Sequence, residues 1–314
     1  MVNTSNLPPA VQLACSRMLL ATPTPYYIYR FPAMKRILDR NSGGTTRMRR
    51  YNPLPASLAP LGNLGVTPPP TQPSIVDIDA KISFYGAYMY VNEQTVLQNQ
   101  EDVLAALTMR QGDQLRKTED QLIANALASS ASFINATGGF NADSPTEISV
   151  SDVSKTASAL RHANGETFTR MIPGEDKFGS GPVRNSYVAL ANDLIAQNLD
   201  GLVGFKHVSE YPSQEDILES EYGTILNMRF FLSSIGSTIP TSSLLGRDVF
   251  NITCVAREGY AVIDQDGYSS QFIYNDPSIA GGPLRLNASI GWKMATVPRI
   301  TNDFWCLNLR VTLR

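Results

Sequence analysis

Two histidines, three cysteines and two tryptophans in 314 residues leave little material for the commonest catalytic and metal chemistries. His162 and His207 are 45 positions apart and no cysteine stands near either, so no local His/Cys metal site can be assembled. A Ser/His/Asp triad would have to recruit one of these two, and their surroundings suit a helix-end cation (His162) and a loop residue (His207) better. Cys15, Cys254 and Cys306 are odd in number and widely spaced, which excludes a disulfide framework; buried, reduced thiols acting as small hydrophobes are expected. No run approaches the roughly 18 apolar residues of a membrane-spanning helix, and no membrane partner is expected. The first residues lack the basic start and continuous apolar segment of a secretory signal. A hydrophobic fraction of 43% excludes disorder as the dominant state.

The motifs that imitate chemistry are incomplete. Gly174–Gly179 has the glycine spacing of a phosphate-binding loop but continues Ser180-Gly181, without the lysine and hydroxyl that hold phosphate and magnesium. Asp264-Gln265-Asp266-Gly267 imitates the start of a calcium loop, yet its glycine comes two positions early, so a tight turn is expected. Glu215, Asp216, Glu219 and Glu221 read as a solvated acidic face. No enzymatic activity, cofactor or metal is expected from these residues.

What is present is an uneven distribution of charge. Residues 1–50 carry eight cations and one anion, a local charge of +7, whereas the other 264 residues hold 18 cations and 27 anions, or −9. A basic head on an acidic body implies an anionic partner: nucleic acid, or the body of another copy. A solvated basic face with no partner is the plainer alternative.

Prolines 8, 9, 23, 25 and 32 forbid a long helix at the start, so residues 1–40 are expected to be an extended arm, with at most short helices near 11–20 and 33–40. Strand formers at 45–52 and the period-two alternation of Val76, Ile78, Ala80, Ile82 and Phe84 flank a Pro/Gly-rich loop, predicting a long hairpin. A lone hairpin is marginal in water, so this one must lie on something, either its own body or a neighbour. An apolar stripe from Val103 to Ala126 predicts a helix over about 100–130, with Gly112 as its weak point. A short strand near 147–150, a helix opened by Ser151 and closed at Asn164-Gly165, and a second amphipathic helix over 185–198 are expected next. Strands follow near 226–232 and 250–256. The alternations at 284–294 and 305–313 read as an antiparallel pair.

The ordered series of segments resembles a tailed-phage major capsid protein with the Hong Kong 97 (HK97) fold, most like the family from N4-like phages. The resemblance runs through 31–50 with Gly43-Gly44-Thr45, then 58–60, Gly65-Val66-Thr67-Pro68, Tyr85-Gly86-Ala87-Tyr88 and Asp102 to Thr118-x-Asp120. It continues in 184–199, 224–235 and 284–314. It covers nearly the whole chain, each motif alone being weakly specific. It implies an α+β, HK97-like capsid fold with an N-terminal arm at 1–40 and an extended hairpin loop at 41–92. A peripheral domain would take 93–183 and 271–314 with a spine helix at about 100–130, and an axial domain 184–270.

The resemblance further implies self-assembly into hexamers and pentamers of an icosahedral shell around double-stranded DNA. Portal, scaffolding and cement or decoration proteins would be partners, and the virion the location. Cellular encapsulin compartments share the fold and are the alternative; a soluble hydrolase is a distant third. Some relatives crosslink through a lysine in the extended loop; residues 41–80 contain none, which argues against isopeptide chemistry. About forty residues precede the loop, so scaffolding is expected to be separate or already removed. Arg47, Arg49 and Arg50 are expected to dock on acidic surface of a neighbouring subunit around Glu215, Glu219 and Glu221, with Arg17 and Arg30 as the residues that would face DNA.

Overall fold

The computed structural model describes residues 24–58, 70–92, 103–130, 132–168, 185–211, 220–276, 284 and 286–314. In chain order the strands and helices are β1 (Met34–Leu38), β2 (Thr45–Tyr51), β3 (Ile75–Lys81), β4 (Ser83–Asn92), α1 (Val103–Ala128), β5 (Phe133–Asn135) and α2 (Val150–His162). There follow β6 (Tyr187–Asn192), α3 (Ala196–Asp200), β7 (Lys206–His207), β8 (Glu221–Ile225), β9 (Met228–Ser233) and β10 (Thr238–Ile239). The last are β11 (Val249–Val255), β12 (Tyr260–Gln265), β13 (Gln271–Asn275), β14 (Asn287–Ile300) and β15 (Cys306–Thr312).

Two sheets of different character share the long helix. The five-stranded sheet is built on β14, which pairs antiparallel with β12, β13 and β4, while β1 adds parallel to the outer edge of β12. The eight-stranded sheet runs β5-β15-β11-β6-β9-β8-β7, with β10 on β11. The hairpin β2–β3 forms a sheet of its own. Strand β12 joins β14 in the five-stranded sheet, and β15 joins the eight-stranded sheet.

Helix α1 explains why the two sheets hold together. In its first half the Gln111 side chain donates to the Ile290 carbonyl at 2.8 Å and Gln114 accepts from the Trp292 indole at 3.1 Å, both on β14. In its second half Ile123, Ala124 and Leu127 pack with Val188, Leu190, Phe231 and Val255 of the other sheet. The Leu127 carbonyl there accepts from Asn308 at 2.9 Å. Twenty-six residues span about 39 Å, enough to reach both. The smaller helix α2 is capped by Ser149, not Ser151, and covers the opposite face of the eight-stranded sheet through Val153 and Leu160. It stops where Asn164 turns to a φ of 55°, as its Asn-Gly ending suggests.

Several expectations are overturned. Residues 187–192 form a strand where an amphipathic helix was expected, and helix is confined to the turn and short α3 that follow. The reason is burial on both faces: Val188 and Leu190 enter the cluster under α1, whereas Tyr187, Ala189 and Ala191 enter the cluster under α2. A strand apolar on both sides has no period-two signature. Residues 34–38 are strand, not helix, because the edge of β12 offers their backbone a ladder. The single strand expected over 76–84 breaks at Ile82, which turns into the core while β3 stays with β2 and β4 leaves for β14. Residues 147–149 lie in no strand. The two C-terminal strands do not pair with each other. Each has the alternation of a half-buried strand, and alternation carries no information about which partner is chosen. Expectations at 11–20 and at Gly174–Gly179 lie outside the described residues.

A Cβ added at Gly112 would meet nothing within 4 Å, and the position is exposed in mid-helix. Replacing Gly112 by alanine is therefore expected to raise unfolding free energy by roughly 0.5–1 kcal/mol, read from urea denaturation.

Candidate assembly surface

The hairpin begins as a sequence pattern and ends as a ladder of charges. In the β2–β3 register Thr46, Met48 and Arg50 stand opposite Ala80, Ile78 and Val76, while Arg47 and Arg49 stand opposite Asp79 and Asp77. The first set turns toward the body. Met48, Ala80 and Ile82 pack near Leu38, Ile263 and Ala295, and Arg50 donates to the Thr301 carbonyl at 3.2 Å. The second set is exposed and forms two-pronged pairs: Arg47 to Asp79 at 2.7 and 2.9 Å, Arg49 to Asp77 at 2.8 and 3.0 Å. These bonds hold both aspartates below the usual carboxylate range and raise both guanidinium groups. Toward the far end of the described ribbon, apolar side chains lack cover: Tyr51 is 60% exposed, Leu54 57% and Leu58 89%.

The chain leading to the hairpin is pinned at its root. Buried Asp120 on α1 accepts the backbone N–H groups of Ile28 and Tyr29 at 3.1 and 2.9 Å. The Tyr260 hydroxyl donates to the Tyr29 carbonyl, and Phe31 packs on Phe231 with ring centroids 4.7 Å apart. Arg30 bridges Glu119 of α1 and Asp264 of β12, the latter at 2.7 Å. Asp264, still in β12, also accepts from Thr296, and the expected tight turn follows at Asp266-Gly267, where Gly267 takes a φ of 73°.

Of the residues singled out from sequence, Arg47 and Arg49 lie together on the exposed face of the hairpin, with Arg50 on the other face. Arg30 is engaged with two carboxylates of its own chain. Glu221 is a correction to the solvated acidic face. Its side chain is fully buried, gripped by Arg229 and donated to by the Tyr211 hydroxyl at 3.1 Å. A carboxylate leaves water only with such partners. Arg17, Glu215, Asp216 and Glu219 lie outside the described residues. Sequence reading missed Asp77 and Asp79 as partners, although arginines at 47 and 49 facing aspartates at 79 and 77 is the register that a hairpin implies. It also missed Glu119 and Asp120, whose partners are about ninety residues away and left no local signal.

Cys254 and Cys306 are buried, and burial pushes the Cys254 thiol up to about 12, keeping it protonated. His162 ends α2 as expected, whereas His207 lies in β7, with Nε2 3.6 Å from Asp200. Among the described residues no group of three or more His, Cys, Asp or Glu could hold a metal ion, and no helix is long and apolar enough to cross a membrane.

Burial pushes the Asp120 carboxyl up to about 6, against the opposing pull of the N–H groups it accepts. A folded pKa above the unfolded one means the native state holds the extra proton. Stability from this group is therefore complete below the ordinary carboxylate value and declines as pH rises to about 6. The Asp120→Asn variant should lose that slope, gaining up to about 3 kcal/mol relative to wild type between pH 4 and 7 in paired urea titrations. Asp120→Ala, which strands two buried N–H groups, should be destabilised at both pH values by roughly 2–4 kcal/mol.

No family model matches this chain, and no curated protein sequence matches it. Solved structures do. The head structure of Helicobacter pylori bacteriophage KHP40 superposes with a TM-score of 0.67 at 13% identity, covering 99% of this chain and 97% of that one. The capsid of Ralstonia phage GP4 gives 0.66 at 12%, covering 100% and 98%. The capsid of the native GTA particle gives 0.60 at 10%, covering all of both chains. Similarity over the whole length at such low identity is similarity of architecture, and the chain has the α+β, HK97-like fold of these capsid subunits.

Proposed function

We propose that the protein is the major capsid protein of a tailed phage, assembling through its own copies into the icosahedral shell around a double-stranded DNA genome. The observation that carries this reading is the hairpin β2–β3. It is a formed ribbon, joined to neither large sheet, whose exposed Tyr51, Leu54 and Leu58 have no cover within the described chain. Apolar groups left bare at the end of such a ribbon are stabilised when a symmetric copy covers them, and repetition around a closed symmetry satisfies every ribbon. The whole-length likeness to capsid subunits supports the same conclusion.

In this reading 1–40 is the N-terminal arm and 41–92 the extended loop. Residues 93–183 and 271–314 make the peripheral domain, and 184–270 the axial domain around the capsomer axes. The role is structural rather than catalytic. The location is the virion, with portal, scaffolding and decoration proteins as further partners and the genome held without sequence specificity. The ordered motifs of the sequence favour relatives among N4-like phages.

Negative-stain microscopy of the purified protein is expected to show closed shells. Elution only as a species near 34 kDa would overturn the proposal, and shells that never package nucleic acid in infected cells would favour a cellular compartment. Replacing Tyr51 and Leu54 by aspartate should lower shell yield about tenfold, with thermal unfolding of the unassembled chain unchanged because both side chains are exposed.

A further inference from the structure

The exposed face of the hairpin carries five charges, of which Arg47, Arg49, Asp77 and Asp79 form a balanced set while Lys81 stands beside them opposite Thr45. Each aspartate has both oxygens taken by the arginine directly across the strands, and each arginine has spent its Nε and one terminal nitrogen on that aspartate. Arg47 also reaches Asp77 at 3.7 Å, which joins the two rungs into one network. A carboxylate on another subunit would have to displace a two-pronged partner already in place, the strongest geometry that an arginine makes. The ribbon meanwhile needs stiffening from within. Its inner face lies on the body through Ala80, Met48 and Arg50, but its outer face is open to water from Lys81 to Tyr51 and Ile75, and two strands alone are marginal there.

We propose that Arg47–Asp79 and Arg49–Asp77 are positioning pairs internal to the arm. They hold the hairpin straight before it meets another copy, and they are not themselves the contact between copies. Cross-strand opposite charges stabilise a ladder directly, and linked two-pronged pairs are the exposed ion pairs that contribute measurably. The arm is thus preformed, so that association spends less of its free energy on ordering it. The consequence for assembly rests on the shell-forming function proposed above; the stiffening of the hairpin does not.

Charge exchange within one chain separates this from docking on a neighbour. In the Arg47→Asp/Arg49→Asp variant, amide hydrogen exchange of residues 45–51 and 75–81 in the unassembled chain is expected to be roughly three- to tenfold faster. Shell yield should fall with it. Adding Asp77→Arg/Asp79→Arg to the same chain should return both readouts to within about twofold of wild type, because the pairs are rebuilt with reversed sign. Unchanged exchange in the double variant would overturn the inference. So would a quadruple variant with restored exchange but no shells, since the arginines would then act on another copy. Restored yield on mixing Arg47→Asp/Arg49→Asp chains with Asp77→Arg/Asp79→Arg chains would place the pairs between subunits and overturn it equally. If the wild type forms no shells, the function proposed above fails alone and the exchange measurements still decide the role of the pairs.

Discussion

Helix α1 lies against both sheets, and nearly every other arrangement in the molecule follows from that contact. Its first half meets β14 through glutamine side chains bonded to a carbonyl and an indole, a contact that fixes register as well as proximity. Its second half presents Ile123, Ala124 and Leu127 to the eight-stranded sheet, where burial supplies the driving force. Between the halves, Glu119 and Asp120 face the segment that leads to the hairpin. Asp120 takes two backbone N–H groups that would otherwise be buried without partners. The helix therefore sets the spacing of the two sheets and also the point from which the N-terminal chain departs.

The charge distribution acquires a different meaning in three dimensions. The basic head and acidic body do meet, but largely inside one molecule: Arg30 on Glu119 and Asp264, Arg40 on Asp266, Arg47 on Asp79 and Arg49 on Asp77. Buried or half-buried pairs of this kind fix geometry more than they add stability, and exposed ones weaken in salt. With those charges paired within the chain, exposed Tyr51, Leu54 and Leu58 are what the end of the described ribbon offers to another copy in the proposed shell. In the proposed shell, a formed ribbon with an apolar end gives another copy a surface to cover.

Much of this was legible in the chain. The hairpin, the long helix, the stop at Asn164-Gly165, the tight turn at Asp266-Gly267 and the buried character of Cys254 and Cys306 all follow from local pattern. So does the order of segments that resembles capsid proteins. Other features were illegible for definite reasons. Tyr187–Asn192 is apolar on both faces, so its strand has no alternation to read. Glu221 sits in an acidic stretch that looks solvated until Arg229 and Tyr211 close over it.

The sequence by itself determined the extended or helical state of the long segments with one wet face, because a wet face imposes a period of two or 3.6 on the residues, whereas the short strand β1 took its state from the edge of β12. It determined the scarcity of catalytic groups and the excess of positive charge in the first fifty residues. Only the tertiary structure decided pairing: that β14 and β15 belong to different sheets and that β4 leaves the hairpin for β14. Periodicity reports whether a face is buried, whereas the identity of the covering partner depends on contacts between residues far apart in the chain.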